Sequence, residues 1–179
     1  MSAPDDIILG DGVFAIGQTT SSMTNIALTR GGGVFSVERE YRQINADGDF
    51  GIVKGRTRLI RSIAKLNMKN LEIVPDDMDA YYPSISANHT TGSTSAIITG
   101  AGLTSNVTSA DYSYATWTGY NKAGRSVHIE LKNAINLENI NWPLVDKEEI
   151  INELTYQAAY GSTERTTEPW KIVFTTTSS

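Results

Sequence analysis

Residues 37–71 read VEREYRQINADGDFGIVKGRTRLIRSIAKLNMKNL. The centre, Asn45-Ala-Asp-Gly-Asp-Phe-Gly51, is a turn by composition, because Gly, Asn and Asp tolerate the backbone angles a turn needs. Residues suited to strands flank it on both sides. The stretch therefore predicts a long β-hairpin over 34–71 whose outer part is too charged to be core. From residue 34 to 41 the chain alternates, with Phe35, Val37, Arg39 and Tyr41 on one face. The return arm, about 54–73, is long for a strand. Leu59, Ile63 and Leu66 predict that its lower part rejoins the core. They also fit helical spacing, but pairing with the preceding strand favours β.

Charge sharpens the question of what such a ribbon does. Residues 30–69 hold nine basic side chains against Glu38, Glu40, Asp47 and Asp49, a net +5. The rest of the chain holds six basic and sixteen acidic residues, a net −10. A basic ribbon thus sits on an acidic body. Three readings fit: a solvated hairpin, a nucleic-acid contact, or docking onto another copy. A chain pI near 5 and the lack of interleaved aromatics weigh against nucleic acid. Opposite potentials on two copies favour docking and set its register.

The chain of 179 residues, 40% apolar, suits one domain, 1–179, with a real core. It has no cysteine, which excludes a disulfide framework and a thiolate metal site and fits an intracellular origin. No stretch is long and apolar enough to span a membrane. Residues 1–11 are acidic, without a basic leader, and read as an extended arm. The sequons at Asn88 and Asn106 read as chance without a secretory signal.

Outside the hairpin, short apolar pieces are expected at 13–16 and 26–29, with Gly31, Gly32 and Gly33 as a flexible corner. Residues 74–83, VPDDMDAYYP, predict a short helix capped by Asp76 or Asp77 and stopped by Pro83. The Ser/Thr-rich region 84–110 reads as a loop region, with a strand at 96–99; a second strand is expected at 112–118. Residues 125–132 alternate, Val127, Ile129 and Leu131 against His128, Glu130 and Lys132. Residues 147–160 carry both periods: Ile150, Ile151, Leu154 and Ala158 fit a helix, and Leu154, Tyr156, Ala158 and Tyr160 fit a strand. Residues 169–175 predict a strand with Trp170, Ile172 and Phe174 on one face. The sum is mainly β: a β-sandwich or barrel with one short flanking α-helix and a long protruding β-hairpin.

Catalytic signals are thin, and the chain is read as no enzyme. His89 and His128 lie apart, with no HExxH or Cys/His company. Asn45, Asp47 and Asp49 match the first, third and fifth positions of a calcium loop. The glycine and terminal glutamate such a loop needs are Phe50 and Arg56 here, so the match fails. GDGVFAIG and TGAGLTS carry glycines without GKS or GKT, so no phosphate loop, cofactor or metal is expected.

The order and spacing of three stretches carry a resemblance: ALTRGGGVFSVEREYRQINADGDFGIVKGRTRLIRSIAKLNM, PDDMDAYYP and KEEIINELTYQAAYGSTERTTEPWKIVF. Together they cover most of residues 12–175, and the chain resembles the major tail tube proteins of long-tailed bacteriophages. The resemblance implies a β-sandwich with a flanking helix that closes into hexameric rings. Rings stack through an extended hairpin into a tube that conducts DNA during ejection. It implies a virion-tail location after synthesis in the bacterial host cytoplasm. It implies as partners the protein itself, a tape-measure protein, tail terminator and distal tail proteins, and DNA that passes without sequence-specific binding. The alternative within the same likeness is the inner tube of a contractile injection or type VI-like secretion device. An adhesion β-sandwich and a small β-rich enzyme are the other classes; neither has a visible constellation of residues.

On this likeness, 149–160 is expected to be a strand, and the 37–71 ribbon the stacking hairpin. Arg42, Asp47, Asp49, Phe50, Lys54, Arg56 and Arg58 are the expected inter-ring contacts. The lumen is expected to be acidic or neutral, because a cationic wall would hold DNA. Strand edges at 127–131 and 169–175 are expected to pair between ring neighbours.

Overall fold

A computed structural model of the chain describes residues 8–26, 29–89, 95–102 and 106–175. It is mainly β. Ten strands run in chain order: β1 (Ile8–Thr19), β2 (Ser22–Ile26), β3 (Thr29–Gln43), β4 (Thr57–Asn70), β5 (Ile85–His89), β6 (Ala96–Gly100), β7 (Ser113–Asn121), β8 (Ser126–Asn136), β9 (Asn152–Ala158) and β10 (Trp170–Phe174). A 3-10 turn, Pro75–Asp77, leads into α1 (Met78–Tyr81), the one α-helix among the described residues. Eight strands form one antiparallel sheet in the order β2-β1-β7-β8-β9-β4-β3, with β10 also paired to β8; β5 and β6 form a separate ribbon.

The sheet folds over on itself. Phe14, Ile16, Ala115 and Leu131 from one half meet Ala64, Leu66, Met68, Leu154, Tyr156 and Ala158 from the other. At Gly33 the two halves come so close that a Cβ would lie 2.3 Å from the Asn67 carbonyl oxygen and 2.5 Å from the Phe14 ring. Farther along, the Phe35 and Trp170 rings pack at 5.8 Å.

The strand β8 explains how one sheet serves both halves. Up to Leu131 it pairs with β10, and from Ala134 it pairs with β9. The change falls at Lys132 and Asn133, where three steps on β8 oppose two on β7. Asn133 takes φ +48°, a left-handed conformation that asparagine tolerates better than most residues. Such a bulge shifts the side-chain phase: Val127 and Leu131 are buried before it, Ala134 and Asn136 after it. The Lys132 N–H donates to the Pro169 carbonyl and the Ala159 N–H to the Asn133 carbonyl, so β10 begins where β9 ends.

Several expectations are corrected. The helix at 74–83 is a 3-10 turn and a single α-helical turn; Asp77 holds the N-cap position of α1 as expected, but its side chain makes no capping hydrogen bond. Val74 is the cap of the 3-10 turn, and Asp77 caps α1 with helical backbone angles (φ −97°, ψ −5°) in place of the extended ones a side-chain cap favours. Within the expected arm, residues 8–11 belong to β1; residues 1–7 lie outside the described residues. The piece at 13–16 belongs to the longer β1, joined to β2 by a tight turn; of the piece at 26–29, Ile26 ends β2 and Thr29 begins β3, and residues 27–28 lie outside the described residues; β5 was not foreseen. The spacing of Leu59, Ile63 and Leu66 does not share a face. On β4 the buried row is Ser62, Ala64, Leu66, Met68 and Asn70, whereas Leu59 is exposed. The ambiguous 147–160 segment contains strand β9, with Asn152, Leu154, Tyr156 and Ala158 inward.

Three fully buried asparagines organise the end of the body near the root of the β3–β4 hairpin. Asn152 Oδ1 accepts from the Tyr82 hydroxyl at 2.6 Å and from Trp142 Nε1 at 3.2 Å. Asn136 Nδ2 donates to the Tyr81 carbonyl at 3.1 Å, and its Oδ1 accepts from the Glu138 N–H. Asn70 Oδ1 accepts from the Glu72 N–H at 3.0 Å. The bonds of Asn136 and Asn152 fasten the α1 region and the segment 137–151 to β8 and β9, and that of Asn70 holds the chain leaving β4; an apolar side chain there would leave backbone and indole groups without partners.

A candidate assembly surface on the projecting hairpin

The β3–β4 ladder runs from Thr29↔Asn70 to Gln43↔Thr57. Its lower half belongs to the core: Leu66 and Met68 are buried, and Phe35 and Val37 pack against them. Beyond Glu38 on β3 and Arg61 on β4, every residue is exposed on both faces. Arg39 still reaches Trp170, and Leu59–Arg61 flank the 160–168 loop; at about 3.3 Å per residue, strand 40–43 beyond them projects roughly 13 Å before the loop. The ladder survives outside the core through backbone pairing, with a bulge where Glu40↔Arg61 is followed by Tyr41↔Leu59.

The loop 44–56 is wider than the turn read at 45–51, and it is internally tied. The Ile44 N–H donates to the Arg56 carbonyl at 3.0 Å and closes it. Inside lie two turns, Asp49 N–H to the Ala46 carbonyl and Arg56 N–H to the Val53 carbonyl. Gly48 and Gly55 take φ of +92° and +86°, which glycine reaches without strain. Asp49 Oδ2 accepts from the Ala46 N–H at 2.7 Å and from Arg56 Nη1 at 2.6 Å. The arginine that breaks the calcium-loop pattern thus occupies the carboxylate an ion would need.

The expected contact residues divide accordingly. Asp49 and Arg56 pair with each other and shape the tip. Arg42, Lys54 and Arg58 make no ion pair with a carboxylate among the described residues. Arg42 and Arg58 are direct cross-strand partners, an arrangement that destabilises a ladder unless negative charge comes from elsewhere. Phe50 stands wholly in solvent at the tip, and Asp47 is exposed beside it. Sequence reasoning missed the apolar company of Phe50: Tyr41, Ile44, Ile52, Leu59 and Ile60 are all exposed on the same ribbon. These five side chains are spread over both faces of the ribbon and its loop, around a solvent-facing Phe50.

Other basic groups of the ribbon have local partners. Lys65 Nζ lies 2.8 Å from Glu38, and this hydrogen bond and charge lower the Glu38 pKa. Arg30 pairs with Glu149, whose carboxyl is held below its usual range by its own backbone N–H and then by Arg30. The Arg39 guanidinium sits 5.9 Å over the Trp170 ring.

The expected free edge at 127–131 is corrected, because β8 pairs with β7 on one side and with β10, from Trp170↔Leu131 to Phe174↔Val127, on the other; β10 pairs with β8 alone, so among the described residues its second edge stays open. On the outer face of this pairing, Thr118 Oγ1 lies 2.8 Å from His128 Nδ1, and His128 Nε2 lies 3.6 Å from the buried Glu130 carboxylate. Lys171 Nζ takes that carboxylate at 2.8 Å, so the line clamps β7, β8 and β10 together. His89 is on β5. No group of three or more metal-ligating side chains occurs among the described residues. No helix among them is long and apolar enough to cross a membrane.

Compared with protein-family models and with curated proteins, the chain gives no match.

Proposed function

We propose that the protein is a structural subunit of a tail-tube-like assembly, in which copies close into rings and rings stack into an open tube that conducts DNA. The observation that carries this reading is the hairpin beyond Glu38, exposed on both faces and tipped by a solvent-facing Phe50. Burying those apolar groups and neutralising the opposed Arg42 and Arg58 requires a surface outside the molecule. A second copy, whose body carries the acidic excess, has the complementary charge. In this reading the tape-measure protein and DNA occupy the lumen, and terminator and distal proteins close the ends. The virion tail is the place of action.

Light scattering on the purified protein tests this. Assemblies many times the 19.5 kDa chain mass are expected at low salt. A single species of that mass across micromolar concentrations contradicts the proposal.

A further inference from the structure

The segment 137–151 lies at the opposite pole from the hairpin tip. It precedes β9, whose first residue Asn152 pairs with Asn70 at the root of the hairpin, and Arg30 near that root pairs with Glu149. From the root to Gln43 is about 45 Å of extended strand. The segment holds Glu138, Asp146, Glu148 and Glu149 against Lys147, a net charge of −3. It exposes four apolar side chains, Leu137, Ile140, Leu144 and Val145, with Leu144 at 81%. Beside it a cleft of about 580 Å³ is lined by Glu138, Glu153, Lys69, Asn139, Asn141 and Ile151. Acids among exposed aliphatics are the complement of what the tip carries, cations among exposed Phe50, Ile52 and Leu59.

The segment is also held in place before any partner arrives. The Glu138 N–H binds Asn136, Trp142 Nε1 binds Asn152, and Glu149 binds Arg30. A receiving surface already fixed loses little conformational freedom on docking.

From these features we infer that segment 137–151 of one copy receives the hairpin tip of the next. Phe50 and Ile52 cover Leu144 and Val145, and Arg42 and Arg58 face Glu138 and Glu148. The inference rests on the stacking proposed above and names its acceptor. Because donor and acceptor are different surfaces at opposite poles, each docking leaves a free tip and a free acceptor. The contact is heterologous and propagates as an open filament.

The absence of cysteine permits a direct test. A chain carrying Asp47→Cys, exposed beside Phe50, is mixed with one carrying Asp146→Cys, exposed beside Leu144 and Val145, and oxidised, with circular dichroism confirming that both fold. A disulfide-linked dimer in the mixture, and in neither chain alone, is expected. In parallel, Glu138→Lys with Glu148→Lys is expected to abolish stacking, and adding Arg42→Glu with Arg58→Glu in the same chain to restore it. Tubes without the mixed dimer and without charge-swap rescue overturn this acceptor while leaving stacking intact. Wild-type protein that forms no assembly overturns both.

Discussion

At the residue scale, Asp49 and Phe50 are neighbours with opposite tasks. Asp49 is turned inward on Ala46 and Arg56 and gives the loop its shape, and this frees Phe50 to face solvent. Phe50→Ser should therefore change stability by less than about 0.5 kcal/mol, because it touches no core. It should nevertheless abolish large assemblies, as read by sedimentation alongside thermal melts. The buried tyrosines make a separate prediction about pH. Burial, followed by the charge of Asp77, pushes the Tyr81 hydroxyl up to about 12 from 10.0, and burial also raises Tyr82 and Tyr156. A neutral hydroxyl favours the fold, so this contribution is full below pH 10 and is lost as pH climbs through 12. Thermal melts should fall across that window, and Tyr81→Phe should flatten the fall. Tyr156 differs, because its buried hydroxyl has no hydrogen-bond partner among the described residues. Tyr156→Phe should be neutral or stabilising in denaturant titration, since the removed group was desolvated without compensation.

Among the elements, the hairpin was legible because turn chemistry at 45–51 and alternation at 34–41 agree, and because charge marks where the core stops. The end of the core on the return arm was misread through Leu59. An isolated leucine in a charged strand looks like a core anchor, yet strand alternation places it on the projecting part, across from Tyr41. Leu66→Ala should cost about 3 kcal/mol as a buried truncation, and Leu59→Ala almost nothing. Equal losses in denaturant titration would mean that the outer hairpin packs on the body. The β8 bulge was not legible, because Val127, Ile129 and Leu131 predict a phase that only the turn of the backbone at Asn133 reverses. The segment 137–151 was missed for a related reason. Its aliphatics and acids carry no period, and their common property, exposure beside a polar cleft, exists only once β8 and β9 are placed. The pairing of β8 with β10 was hidden too, since a free edge and a paired one share the same alternating pattern.

For the whole molecule, the division between a basic ribbon and an acidic body becomes a division between two poles. Surface charges separated by water are screened within about 8 Å at physiological ionic strength. Stacking driven partly by them should weaken as salt rises, while the apolar contacts of Phe50 and Ile52 persist. In the proposed assembly, many copies acting together would turn a modest contact into a stable tube. Electron microscopy of the purified wild-type protein at low salt, beside the Arg42→Glu, Arg58→Glu double variant, tests the central claim most directly. The account predicts stacked rings with a hairpin bridging each layer for the wild type, and isolated rings or folded single subunits for the variant. Tubes of ordinary length from the variant, or wild-type particles whose hairpins lie against their own subunit, would contradict it.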